Sequence, residues 1–133
     1  MKLNETGEFG WIAEIRSRFA SLQREGTTGI GDDCAVIPVS DRRSMVVTAD
    51  MLVEGRHFLK DKISPADLGY KSLAVSLSDV AAMGARPVAS FLSVAIDPAT
   101  DKLWCDAFLE GYHTLSARYG VPLLGGDTVA AAS

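Results

Sequence analysis

The sequence predicts an α+β domain with an irregular order of helices and strands. Residues 65–83 and 101–119 carry apolar side chains at the three- and four-residue spacing of an α-helix, and residues 7–20 do so more weakly. Four short apolar runs bounded by turn-forming residues indicate strands. Because these elements do not follow a strict βαβ order, we expect an α+β or irregular α/β domain.

The N-terminal part of the chain is predicted to form a helix, a loop and two strands. Residues 7–20 make the helix, and the polar, glycine-rich residues 21–33 make the loop. The apolar run from Cys34 to Val39 is the first strand, residues 40–43 form a polar turn, and residues 45–53 are the second strand.

Residues 65–83 give the clearest helical signal. Ser64 suits the N-cap and Pro65 the first helical position, while Asp67 supplies the acid of a capping box. Gly84 suits the C-terminal end, where a left-handed residue ends many helices. Both ends of this helix are therefore predicted from local chemistry alone.

Two stripes run along this predicted helix at i, i+4, i+7 spacing. The apolar stripe consists of Leu73, Leu77 and Val80. The other consists of small polar groups, namely Ser72, Ser76 and Asp79. This polar stripe faces either a binding site or bulk solvent, and the spacing favours neither.

The last third of the chain is predicted to be a strand, a helix and a second strand. Val88 to Ile96 reads as a strand, after which Asp97 begins a turn. Residues 101–119 form a helix that ends at Gly120, and Val121 to Leu124 is expected to be a buried strand.

Composition limits the function classes. The chain has 133 residues, 47% of them hydrophobic and 23% charged, with a net charge of −4, as in one ordinary globular domain spanning residues 1–133. The absence of a basic stripe argues against nucleic acid, and no apolar run reaches the length of a membrane helix, so we expect a cytoplasmic protein. Cys34 and Cys105 are expected to be free thiols. The chain ends just past its last acidic cluster, so we expect it to be a fragment.

Acidic residues interrupt apolar or glycine-rich segments at four places. These acids are Asp32 and Asp33 after two glycines, Asp50 in the second predicted strand, Asp79 in the central helix, and Asp127 after Gly125 and Gly126. Alternation in the second strand places Thr48 and Asp50 on one face, as two ligands of one ion would be. Carboxylates that recur at the ends of core elements indicate a hard cation such as Mg²⁺, which usually accompanies a phosphorylated substrate.

Each of these residues also has a simpler interpretation. Gly-Asp pairs are common in turns, Asp50 and Asp127 suit surface turns, and Asp79 suits an ion pair with a lysine such as Lys71. His57 is isolated in sequence, as structural histidines usually are, and His113 is expected at the surface of the last helix. The coincidence of the acidic clusters is what favours a site.

Four strings together resemble thiamine-monophosphate kinases. They are GIGDDCA (29–35), TADMLVEGRHF (48–58), LGYKSLAVSLSDVAAMGARP (68–87) and GGDT (125–128), and residues 7–9, GEF, also fit. The helical string is shared in part with aminoimidazole ribonucleotide synthetase, selenophosphate synthetase and a hydrogenase-maturation protein. The string LVEGRHF, residues 52–58, is what indicates the thiamine enzyme.

The resemblance implies a transferase that phosphorylates thiamine monophosphate with ATP and Mg²⁺, giving thiamine diphosphate by direct γ-phosphoryl transfer. It implies metal ligands at Asp33, Thr48, Ala49, Asp50, Asp79 and Asp127, with Asp79 bridging ions. It also implies a substrate contact at His57 and an ATP-binding turn at Gly126 and Asp127. Ala49 departs from the hydroxyl residue usual in the family, so it would coordinate through its backbone carbonyl or not at all.

The resemblance further implies the N-terminal domain of the aminoimidazole ribonucleotide synthetase-like fold, a mixed sheet covered by helices, and the sheets of this fold pair into a barrel in a homodimer. Because the family has a second domain with further contacts, we expect this chain alone to be inactive. Two alternatives stay open: another ATP-dependent enzyme of the same superfamily, and a non-catalytic module for dimerisation or metal binding.

Overall fold

A computed structural model describes residues 2–131. The chain divides into two compact units, Met1–Thr48 and Ala49–Ser133, which we call the N-terminal and C-terminal units. Both units contain helices and strands, so the predicted α+β class is confirmed. Among residues 2–131, the strands form two two-stranded sheets, one antiparallel and one parallel.

The N-terminal unit is a helix followed by a hairpin. Helix α1 (Leu3–Phe19) bends at Gly7, and a short 3₁₀ helix (Ala20–Leu22) follows it. Strands β1 (Ala35–Ser40) and β2 (Arg43–Val47) then pair antiparallel. The predicted helix, loop and first strand are confirmed.

The second predicted strand is too long. It was expected through residue 53, but β2 ends at Val47, whose partner Ala35 is the first residue of β1. Past that pair the chain has no partner strand with which to bond. Thr48 and Asp50 therefore lie outside any strand, and the alternation argument that placed them on one face is wrong.

The C-terminal unit is built on two helices and a parallel strand pair. Helix α2 (Pro65–Ala82) precedes β3 (Ser90–Ile96), α3 (Lys102–Tyr119) and β4 (Leu123–Ala130). Strands β3 and β4 pair in parallel, with α3 as the connection that parallel strands require. The predicted ends of α2 are confirmed, since the Ser64 hydroxyl accepts a hydrogen bond from the Asp67 N–H at 3.0 Å and Gly84 has φ 64°.

The core of this unit lies between α2 and α3. Leu73 of α2 packs with Tyr112 and Leu115 of α3, all three buried. The helices approach so closely that a Cβ on Gly69 would lie 1.8 Å from the Phe108 carbonyl oxygen, and one on Gly111 would lie 1.8 Å from that of Ala66. The two glycines thus allow backbone-to-backbone packing.

The last strand is neither short nor buried as predicted. Val121 is buried, but β4 begins at Leu123, is exposed along its length and continues through Gly125 to Thr128, where a loop was expected. These residues form a strand because they pair with Phe91 to Val94 of β3. Among residues 2–131, no helix is long and apolar enough to cross a membrane.

Candidate functional site

The predicted site residues are divided between the two units. Asp32, Asp33 and Thr48 belong to the N-terminal unit. The other predicted residues belong to the C-terminal unit, namely Ala49, Asp50, His57, Asp79, Gly126 and Asp127. Each unit is described on its own below.

The acidic loop of the N-terminal unit, residues 31–33, contains a hydrogen bond between two of its own residues. Gly31 has φ 127°, and the Asp33 N–H donates to Oδ1 of Asp32 at 2.8 Å. This bond explains Asp32 as a turn-forming residue. Asp33 is exposed, so its carboxylate is accessible as a ligand, and Thr48 is half-buried just after β2.

In the C-terminal unit, the carboxyl groups of Asp50 and Asp79 lie together. Partial burial of the carboxyl group is the largest cause that raises the pKa of Asp50, although the residue as a whole is exposed. The charge of Asp79 and a hydrogen bond between the two side chains raise this pKa further, while the nearby His57 lowers it. Two ionised carboxylates within hydrogen-bonding reach repel each other unless a proton or a cation lies between them.

The small polar stripe of α2 is not a solvated face. Ser72, Ser76 and Asp79 are all half-buried, and the Ser72 hydroxyl donates to the Leu68 carbonyl at 2.8 Å. Asp79 projects from α2 to meet Asp50. The stripe therefore places one of its three members in the carboxylate pair.

His57 lies in a short loop, residues 53–58, that the chain closes with its own hydrogen bonds. The Val53 N–H donates to Nδ1 of His57 at 2.9 Å, and the His57 N–H donates to the Val53 carbonyl at 2.8 Å. Nδ1 is occupied by this bond, so Nε2 is the ring nitrogen that remains to donate to a ligand. Nε2–H is then the group that His57 offers to a ligand.

Sequence reasoning missed the partner of this loop. Lys71 was considered only as an ion-pair partner for Asp79, but its Nζ donates to the His57 carbonyl at 2.9 Å. No sequence signal connects positions 57 and 71, which are 14 residues apart. The contact arises because the loop folds back against α2.

Gly126 and Asp127 lie within β4 rather than in a turn. A Cβ on Gly126 would lie 1.7 Å from the Leu92 carbonyl oxygen, and its φ is 151°, so strand packing alone requires a glycine here. Asp127 pairs in register with Ser93, and both residues are exposed. Asp127 is thus accessible from solvent on the open sheet.

The donor atoms are chemically suited to a hard cation. Among residues 2–131, no three Asp, Glu, His or Cys side chains converge as a complete ligand set. The Asp50–Asp79 pair nevertheless fits such a cation, because carboxylate oxygens are the ligands that Mg²⁺ prefers and a bound cation would remove their mutual repulsion. A pair of carboxylates leaves coordination positions for water and phosphate oxygens.

Several other candidate residues have ordinary surroundings. His113 is exposed on α3, as expected. Lys60 lies over the ring of Trp104, with its Nζ 5.1 Å from the ring centroid. Among residues 2–131, neither Cys34 nor Cys105 forms a disulfide.

Relatives with similar sequences carry one functional name. The chain is 45% identical over 122 residues to the thiamine-monophosphate kinase of Salmonella typhimurium and 43% identical over 122 residues to that of Escherichia coli K12. Each alignment covers 92% of this chain and 37% of the relative. The chain thus spans just over a third of the length of these curated relatives.

Solved structures share the fold. The structure of AaThiL complexed with AMPPCP and TMP matches with a TM-score of 0.86 at 30% identity, covering 99% of this chain and 40% of that one. The thiamine monophosphate kinase of Aquifex aeolicus matches with a TM-score of 0.80 at 28% identity, covering 98% of this chain and 40% of that one.

A family model also matches most of the chain. The model for the AIR synthase related protein, N-terminal domain, matches residues 31–133. That range contains the carboxylate pair, the 53–58 loop and both strands of the parallel sheet. The chain therefore belongs to the AIR synthase related protein family, of which it carries the N-terminal domain.

Proposed function

We propose that this chain is the N-terminal domain of an enzyme that phosphorylates thiamine monophosphate with ATP, giving thiamine diphosphate. The observation that carries the proposal is the Asp50–Asp79 carboxylate pair with His57 beside it. The similarity to proteins named thiamine-monophosphate kinase supports the substrate. The complex of a relative with AMPPCP and TMP supports a site that takes a nucleotide and TMP together.

In this proposal Asp50 and Asp79 would hold Mg²⁺, and Asp79 would be a ligand of more than one ion. Asp33, the Thr48 hydroxyl, the Ala49 carbonyl and Asp127 are the further proposed ligands. When bound, Mg²⁺ would neutralise the charge that develops on the phosphoryl oxygens. Phosphoryl transfer depends mainly on alignment and charge neutralisation, so the chain needs to supply no nucleophile of its own.

The remaining proposed roles are the binding of thiamine monophosphate and the binding of ATP. His57 would donate through Nε2–H to the phosphate of thiamine monophosphate, since its Nδ1 is occupied by the Val53 N–H. Gly126 and Asp127 would contact ATP, since both residues are exposed along β4. His57 would thereby bind the phosphorylated end of the substrate.

We also propose that the enzyme is a cytoplasmic homodimer and that this domain alone is inactive. An exposed apolar face on the β3–β4 sheet, with Phe91 70% and Val129 50% exposed, supports self-association. The inactivity of the isolated domain is proposed because the relatives are more than twice as long as this chain. We expect those further residues to complete the ATP and substrate sites.

The decisive experiment is product formation by the full-length protein. With ATP, Mg²⁺ and thiamine monophosphate, we expect thiamine diphosphate, and we expect Asp79→Ala to lower kcat/KM at least ~100-fold, because a multi-ion site loses a ligand. Asp106→Ala is the matched control, since Asp106 is exposed and pairs only with the neighbouring turn's Lys102.

Two results would contradict the proposal in different ways. ATP consumption with another substrate, but none with thiamine monophosphate, would point to a different enzyme of the AIR synthase related family. Absence of any ATP turnover, with Asp79→Ala behaving as Asp106→Ala does, would favour a non-catalytic module.

A further inference from the structure

The 53–58 loop has a well-defined internal shape. The Gly55 N–H donates to the Phe58 carbonyl at 2.8 Å, and Val53 and His57 exchange two hydrogen bonds, one of them to the imidazole ring. These bonds fix how the ring is oriented within the loop. They do not by themselves fix where the loop lies on the C-terminal unit.

A long-range hydrogen bond ties this loop to α2. Nζ of Lys71 donates to the carbonyl oxygen of His57 at 2.9 Å, across 14 residues of sequence. The bond acts on the residue whose ring is proposed to meet the substrate. A charged donor to a carbonyl forms a stronger hydrogen bond than a neutral donor does.

Lys71 is well placed to hold the loop. It is half-buried, so its side chain has fewer alternative conformations than an exposed lysine. It lies two turns before Asp79 on the same helix, a distance of about 12 Å along the axis at 1.5 Å per residue. That helix is packed on α3 through Gly69 and Leu73.

We propose that Lys71 is a positioning residue, which holds the 53–58 loop on α2 so that Nε2 of His57 lies at a fixed distance from the carboxylate of Asp79. One rigid helix would then set the spacing between the phosphate end of the substrate and the metal-binding carboxylates. The inference rests on the proposed kinase function. It predicts that Lys71 affects the binding of thiamine monophosphate and not the binding of ATP.

The kinetic test compares Lys71→Met and Lys71→Arg in the full-length enzyme. Methionine keeps the length and apolar stem of lysine but cannot donate, so we expect the KM for thiamine monophosphate to rise about tenfold. The KM for ATP and the melting temperature should stay near those of the parent. Lys71→Arg, which retains donors, should recover most of the loss.

Lys62→Met is the matched control, because Lys62 is exposed and forms an ion pair with the adjacent Asp61. An unchanged KM for thiamine monophosphate in Lys71→Met would overturn the inference. A parallel rise in both KM values, or a loss of stability that accounts for the change, would also overturn it by indicating a purely structural role.

A second measurement separates this inference from the proposed function. Nitrogen-15 NMR of the His57 ring and hydrogen exchange of the Val53 amide report the loop without substrate. In Lys71→Met we expect the Val53 amide hydrogen to exchange faster. We also expect the nitrogen-15 shifts of the His57 ring to move towards the average that two rapidly interconverting tautomers give. If both are unchanged, the inference fails even where the parent is an active kinase, and if the parent is inactive these readouts still decide whether Lys71 positions the loop.

Discussion

The carboxyl groups of Asp50 and Asp79 are adjacent, and ionising both costs free energy. Burial, the charge of Asp79 and the hydrogen bond with Asp79 together raise the pKa of Asp50 above its ordinary value of 3.8. A carboxyl group with a raised pKa binds its proton more tightly in the folded chain than in the unfolded chain. Stability is therefore lost as pH rises from the ordinary value through the raised one.

Replacing Asp50 by asparagine should remove this cost. In the absence of divalent cations at pH 7, we expect Asp50→Asn to raise the free energy of unfolding by less than about 1 kcal/mol, because the site is largely exposed. The gain should shrink as pH falls through the raised pKa of Asp50, because the carboxyl group of the parent then takes up its proton. Urea unfolding at pH 7 and pH 4 in EDTA measures both values.

Asp106→Asn is the control for this prediction. It removes an exposed carboxylate that has a lysine partner, so it should not stabilise the chain at either pH. A destabilised Asp50→Asn variant at pH 7 would contradict the prediction, since it would mean that the charged pair is already compensated. Because Asp50 is a proposed ligand, Mg²⁺ should stabilise the parent more than the variant.

Helices α2 and α3 are held together by close backbone contact. Gly69 faces the Phe108 carbonyl and Gly111 faces that of Ala66, each at a distance that leaves no room for a methyl group. The buried trio of Leu73, Tyr112 and Leu115 lies beside these contacts. The position of Asp79 on α2 therefore depends on two glycines that carry no chemistry.

Adding a methyl group at either glycine should force the helices apart. We expect Gly69→Ala and Gly111→Ala each to lower the free energy of unfolding by about 2 kcal/mol or more, because overpacking outweighs the better helix propensity of alanine. Chemical unfolding measures this loss. In Gly10→Ala of α1, where only side-chain atoms of Thr6 are close, stability should stay within about 1 kcal/mol of the parent.

If Gly69→Ala and Gly111→Ala were as stable as the parent, close helix contact would not be what fixes α2. If α2 and α3 move apart in these variants, Asp79 should also move relative to Asp50. We therefore expect the same two variants to bind Mg²⁺ more weakly than Gly10→Ala does.

At the scale of the whole molecule, the β3–β4 sheet leaves one face open. Alternate residues of β3 face away from the helices, and the ring of Phe91 lies 3.3 Å from where a Cβ of Gly125 would be. An exposed two-stranded sheet with a large apolar side chain is rarely left uncovered. A second copy of the chain is the proposed partner for this face.

A charge on this face should weaken the proposed dimer. We expect Phe91→Glu to raise the dimer dissociation constant at least tenfold, because a carboxylate would be buried against the partner without a compensating charge. Leu103→Glu is the matched control, since Leu103 is equally exposed, at 75% against 70%, but lies in the first turn of α3. Sedimentation velocity across a concentration series measures the difference.

Equal association of Phe91→Glu, Leu103→Glu and the parent would remove this face as the dimer interface. A parent that sediments as a monomer at every concentration would contradict the proposed homodimer itself. Retained melting temperatures for both variants ensure that the comparison reports association.

The sequence alone determined the elements whose signals are local. Ser64, Pro65 and Gly84 act within a few residues of themselves, and the structure has α2 begin and end where they indicate. The acidic positions were also recognisable, because carboxylates within apolar segments are unusual wherever they occur. The motif strings identified the family through the same local residues.

Tertiary structure decided the rest, because it depends on partners that are distant in sequence. A strand exists only where a second strand can bond to it, so β2 ends at Val47 and β4 runs through Gly126 and Asp127. The pairing of Asp50 with Asp79 likewise arises from packing across 29 residues, and the Lys71–His57 bond from packing across 14. Spacing along the chain carries no information about contacts that form only when a loop folds back on a helix.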